Sequence, residues 1–83
     1  MTVRLLFFSS LQDLVGAPEI ERTLSADREW TLGALLETLY EEFPTLRDWD
    51  GRLLLAIDQV WADRGQVITD QAEIAIMPPV QGG

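Results

Sequence analysis

Thr31-Leu32-Gly33-Ala34-Leu35-Leu36-Glu37-Thr38-Leu39-Tyr40-Glu41-Glu42-Phe43-Pro44 is the stretch on which the fold turns. Leu32, Leu35, Leu36, Leu39, Tyr40 and Phe43 recur at steps of three and four, which places them on one stripe of an α-helix. Thr31 offers an N-cap oxygen, Trp30 and Leu35 stand at the two ends of a hydrophobic staple, and Pro44 forces the exit. Glu37, Glu41 and Glu42 fall on the solvated side. Paired carboxylates at that spacing suit a catalytic or metal site, but no histidine or third ligand joins them, so they read as a wet helix face.

The rest of the chain reads as short strands and turns. Residues 2–8 form an apolar strand bounded by Ser9-Ser10. With a period of two, Arg4, Leu6 and Phe8 share one side and Val3, Leu5 and Phe7 the other. Arg4 must meet water, so Val3, Leu5 and Phe7 face the core. Ser10 caps a short helical turn over residues 11–15, and Gly16 ends it. Residues 19–24 form a half-exposed strand suited to a sheet edge. Asp50-Gly51 turns the chain into a strand over 52–58, with Leu53, Leu55 and Ile57 on one face and Leu54, Ala56 and Asp58 on the other. Val60-Trp61 continues as a short strand after a tight turn. Turns at 63–65 and 69–71 flank a short extended piece, and residues 73–77 form the last strand. Glu73 must be wet there, so Ala75 and Met77 share its face and Ile74 and Ile76 enter the core. The expectation is an α+β fold, a small mixed sheet with one long helix packed on one face. Residues 1–77 would form the domain and residues 78–83 an extended tail.

A single helix covers only one sheet face. The alternation leaves Leu6, Phe8 and Met77 on the other. If the first and last strands are neighbours, Phe8 and Met77 lie together near the tail, and Trp61 can join them. Large apolar side chains outside the core mark a binding surface or a small secondary cluster under a loop.

Behind the last strand comes Pro78-Pro79-Val80-Gln81-Gly82-Gly83. The prolines fix φ and favour an extended backbone held away from the body. Glycines without Cβ pass through a cleft that any side chain would block. A carboxylate presented this way suits activation by another enzyme, as an acyl-adenylate and then a thioester, thiocarboxylate or amide.

Bulk composition narrows the function. Eighty-three residues make one small domain with room for one modest core. No run of about eighteen apolar residues exists to span a membrane, and no secretory signal is visible. Without cysteine or histidine the chain lacks thiolate chemistry, zinc–thiolate sites and the usual general base, and a reducing cytoplasm is its natural setting. Fourteen acidic residues against six bases give a net charge of −8, and every base is arginine. Such a surface repels nucleic acid and favours a partner with a basic face.

The element order, Val3-Arg4-Leu5-Leu6-Phe7-Phe8, Asp50-Gly51-Arg52-Leu53-Leu54, Asp58-Gln59 and the Pro-Pro-Val-x-Gly-Gly ending resemble the ubiquitin-like β-grasp sulfur-carrier family, and within it the small subunits of molybdopterin synthase. The resemblance implies that Gly83 is adenylated with ATP by a ubiquitin-activating-like adenylyltransferase and becomes a thiocarboxylate. Its sulfur would go to a cyclic pyranopterin precursor, forming the molybdopterin dithiolene inside a heterotetramer with the large synthase subunit. Gly82 would let the terminus through the partner's channel. Phe8, Trp61 and Met77 would be hydrophobic contacts to that subunit, with Pro78, Pro79 and Val80 following into it. No bound cofactor and no metal are implied, and the catalytic groups would sit on the partner. Asp58, Gln12 and Met77 depart from common family choices. A carrier for thiamine, cysteine or tRNA thiolation, and a ubiquitin-like protein modifier, remain alternatives on the same chemistry.

Overall fold

The computed structural model describes residues 1–79. Its elements, in chain order, are β1 (Thr2–Phe7), α1 (Ser10–Val15), β2 (Glu19–Thr23), α2 (Leu32–Glu42), a 3-10 turn (Pro44–Trp49), β3 (Leu54–Ile57), β4 (Val60–Trp61) and β5 (Glu73–Met77). The five strands form one sheet in the order β2-β1-β5-β3-β4. β1 and β5 run parallel at its centre, and the other pairings are antiparallel. This is the α+β, ubiquitin-like arrangement expected from the sequence.

Alternation dictates what each sheet face carries. Val3, Leu5 and Phe7 on β1, Ile74 and Ile76 on β5 and Leu55 on β3 are buried against Leu32, Leu35, Leu36, Leu39 and Tyr40 of α2. The stripe of α2 thus meets the matching stripe of the sheet, and no polar side chain is buried among the described residues. Leu11 of α1 and Leu46 of the 3-10 turn, two elements that touch each other, add to this core. The turn's Pro44 cannot extend α2, and the chain tightens there instead of running free, so Leu46 covers what the helix leaves open.

The start of α2 is satisfied from two directions. The Thr31 hydroxyl oxygen accepts from Ala34 N at 3.2 Å, as the sequence implied. Leu32 N and Gly33 N donate to the carbonyls of Gln66 and Arg64 at 2.9 and 2.8 Å, so the 63–68 loop takes up two more of the donors left free at any helix start. At α1 the structure corrects the expected cap. Ser9 occupies the N-cap position at φ 56° and makes no side-chain cap, while Ser10 is already the first helical residue. Gly16, at φ 91°, ends this helix in the left-handed conformation as expected.

Candidate functional site

The sheet face away from α2 is built by strand register. Leu54 of β3 lies beside Met77 of β5, and Ala56 lies beside Ala75, which in turn lies beside Leu6 of β1. Trp61 of β4 pairs with Ala56, so its indole belongs to the same face. It gets there through a two-residue hairpin in which Asp58 and Gln59 both have positive φ, 49° and 69°. A turn of that hand matches the twist of the flanking strands. Without glycine at either position it carries local strain, and the Asp58 side chain offsets part of it by accepting from Glu73 N at 2.9 Å.

One end of this face is apolar. Phe8, one residue past β1, is 40% exposed and Trp61 is 70% exposed, while Leu6, Leu54, Ala75 and Met77 are half-buried. Trp61 and Met77 therefore share a face with Leu6, Leu54, Ala56 and Ala75, and Phe8 follows directly on β1. Val60, 68% exposed, adds to the apolar surface at the β4 edge. It was not among the expected contact residues, and its neighbour in register, Ile57, packs against the core. Its exposure follows from how short β4 is, with no further strand or helix to cover it.

The other end of the face is charged. Arg4 donates to Glu73 at 2.9 Å and reaches Glu19 at 4.0 Å, with Glu21 opposite Arg4 on β2 and Asp58 next to Glu73. Exposed pairs of this kind contribute about 0–1 kcal/mol each, so their main effect is to give the face a direction, apolar toward the C-terminal end of β5 and ionic toward its start.

β5 ends at Met77 because Pro78 and Pro79 have no N–H to continue the ladder. Both prolines are half-buried, so the chain leaving β5 keeps some contact with the body and is not held clear of it at these two residues. They follow directly from the apolar end of the face. Val80, Gly82 and Gly83 lie outside the described residues.

Among the described residues no group of three acidic, histidine or cysteine side chains could hold a metal. Glu37 pairs with Arg47 and Arg64, and Glu42 with Arg22, which accounts for two of the three carboxylates on the wet side of α2. The most perturbed group is Tyr40. Burial, with the hydrogen bond its hydroxyl donates to Asp50 at 2.7 Å, pushes its pKa up to about 12. Arg64 holds the same Asp50 oxygen at 2.7 Å, so the cluster ties α2 to the turn before β3 and to the loop after β4. No helix among the described residues is long and apolar enough to cross a membrane.

Comparison with known proteins places this geometry. The model of the ThiS family matches residues 5–83. The molybdopterin synthase sulfur carrier subunit of Escherichia coli (strain K12) is 34% identical over 83 residues, covering 98% of this chain and 99% of that one. Among solved structures, small archaeal modifier protein 1 of Haloferax volcanii superposes with a TM-score of 0.82 at 20% identity, covering 95% of this chain and 98% of the other. Molybdopterin-converting factor from Helicobacter pylori, solved as a complex of its subunits 1 and 2, matches at a TM-score of 0.69 and 23% identity, with both chains fully covered.

Proposed function

The chain belongs to the ThiS family, and from that premise we propose that it is the sulfur-carrier subunit of a molybdopterin synthase, with Gly83 as the group that carries the sulfur. The observation that carries this reading is the family match running through Gly83, at the end of a chain whose apolar sheet face leads into the same tail. The 34% identity to a protein of that role over essentially the whole of both chains supports it.

The chemistry asks little of the body of the protein. A Gly83 carboxylate oxygen attacks the α-phosphorus of ATP on a separate adenylyltransferase, pyrophosphate leaves, and the terminus becomes an acyl-adenylate. Sulfide-level sulfur then displaces AMP, and the thiocarboxylate travels to the large subunit. There its sulfur bonds to a carbon of a cyclic pyranopterin precursor as an oxygen leaving group departs, and water cleaves the acyl–sulfur bond to return the carboxylate. With neither histidine nor cysteine, the chain brings no general base and no thiol to these steps. Its part is to present the terminus and to dock. Gly82 and Gly83 give the narrowest possible tail, and Phe8, Trp61 and Met77, followed by Pro78, Pro79 and Val80, supply the contact surface. The Helicobacter pylori complex of two subunits supports a larger partner of this kind.

Intact mass spectrometry tests the reading. Protein isolated from its own host should contain a species heavier by the exchange of one oxygen for sulfur, located at Gly83. Deleting Gly83, or changing Gly82 to Val, should abolish molybdopterin synthesis with the melting curve unchanged. A Gly83 deletion that still supports synthesis would sink the proposal. Accumulation of lysine-linked adducts on other proteins, with no thiocarboxylate, would favour a modifier instead.

A further inference from the structure

An activated acyl group is attacked by whatever nucleophile meets it first, and a carrier at high local concentration meets other copies of itself. This chain withholds the side chains that most readily attack an acyl group. It has no cysteine and no histidine, and all six of its bases are arginine. Arginine keeps the positive charge that lysine would bring, but its guanidinium does not deprotonate in proteins and so offers no lone pair. The arginines are in use as cations. Arg4, Arg22, Arg47 and Arg64 pair with carboxylates, Arg28 stacks 4.2 Å from the Trp30 ring, and Arg52 donates to the Asp48 carbonyl at 2.7 Å. Lysine could serve at the ion pairs, yet none is present.

The remaining candidates are tied down. The α-ammonium of Met1 is half-buried and donates to the Leu24 carbonyl at 3.2 Å, while Leu24 N returns a bond to the Met1 carbonyl at 2.7 Å. The next residue is held as well, with Thr2 N donating to Asp70 at 2.8 Å. Tyr40, the sole phenol, is 1% exposed, and its hydroxyl proton is committed to Asp50. Burial and that bond push its pKa up to about 12, far from the phenolate that could attack. Serine and threonine hydroxyls need a base to become nucleophiles, and the chain has no histidine to act as one.

We infer that the chain is an acyl donor with no acyl acceptor of its own, so its activated terminus leaves for another molecule and never for a second copy. This rests on the proposed activation of Gly83. The excluded side reaction is aminolysis. An amine lone pair would attack the Gly83 carbonyl carbon, a C–N bond would form, the bond to AMP or to a thiol would break with its electron pair, and the amine proton would go to solvent. If the terminus ever joins other proteins, the same inventory makes this chain the last unit of any conjugate, since no side chain can receive a further copy.

A chemically prepared thioester separates this inference from the biological pathway. The full chain, released from an intein fusion as its Gly83 thioester, is kept at high concentration at mildly alkaline pH beside Arg28→Lys and Arg52→Lys, both at exposed positions. The wild-type thioester should hydrolyse without forming an amide-linked dimer, yet should still acylate an added lysine-containing peptide. Each lysine variant should accumulate a dimer linked at the new lysine, and lose it when its own terminus is a plain carboxylate. Wild-type dimers linked through Met1, Tyr40 or a hydroxyl would overturn the inference. So would lysine variants as free of dimer as the wild type. Neither result depends on whether an adenylyltransferase acts on this chain.

Discussion

Gly33 sits where the first turn of α2 meets the loop after β4. A Cβ built there would lie 3.1 Å from the Arg64 carbonyl oxygen and 3.3 Å from its Cβ. That carbonyl accepts from Gly33 N itself and is braced by the turn in which Asp63 accepts from Gly65 N at 2.9 Å, so it has little room to retreat. Alanine is worth about 1 kcal/mol more than glycine inside a helix, yet Gly33→Ala should lower the melting temperature, because the contact it spoils anchors the helix start. A rise in melting temperature would show that the loop yields. Tyr40 gives a second test at this scale. Its pKa is raised in the folded protein to about 12 from an ordinary 10, chiefly by burial and then by Asp50. The unfolded chain therefore loses this proton first as pH rises, and the stability it represents is intact below pH 10 and lost between 10 and 12. Over that window the melting temperature of the wild type should fall more steeply than that of Tyr40→Phe, and parallel curves would show that the phenol titrates normally. Neither position announces itself in the sequence. Gly33 reads there as an ordinary flaw in a helix and Tyr40 as one more member of an apolar stripe, since their partners, Arg64 and Asp50, lie outside the helix.

Elements were far more legible than their joints. The stripe of α2 and the alternation of β1, β3 and β5 are local patterns with one low-energy solution each, and Arg4 and Glu73 fixed which strand faces are wet. What escaped was the 3-10 turn at Pro44–Trp49 and the cap of α1. The first is held by burial of Leu46 against elements far away in sequence, and the second by a backbone conformation at Ser9 that no serine spacing implies. The open apolar face was readable for the same reason the strands were, because a face left over from helix packing can be listed by counting residues. It follows that face and core substitutions should behave differently. Phe8→Ala, Trp61→Ala or Met77→Ala should each weaken association with the larger partner, by about 2 kcal/mol where the anchor is central, with little change in melting. Leu36→Ala or Ile76→Ala, both fully buried, should cost roughly 2–5 kcal/mol of folding stability. Titration calorimetry and thermal melts on the same variants separate the two, and a Phe8 variant that melts as early as the Leu36 variant would place Phe8 in the core.

At the scale of the molecule, sheet order was a conditional in the sequence and became a fact only with the pairing of β1 and β5. No local pattern states that the first and last strands are parallel neighbours, because loop closure and burial across the whole chain select it. That pairing gives the open face its two ends, and the charge balance then gives the whole a direction of approach. With a net charge of −8, and with Glu19, Glu21, Glu73 and Asp58 gathered around Arg4 at the ionic end, a basic partner is drawn in from beyond contact range. Such attraction is screened over about 10 Å at 0.1 M salt, whereas the apolar contacts at the other end are not weakened by it. Association with the large subunit should therefore slow as salt rises, with dissociation nearly unchanged. Changing Glu21 to Gln should lessen that salt dependence with little change in the melting curve, since Glu21 is exposed and makes no ion pair among the described residues. Stopped-flow association across a salt series measures both effects. An association rate indifferent to salt would mean that the acidic surface serves solubility alone, and that the apolar end of the face finds its partner unaided.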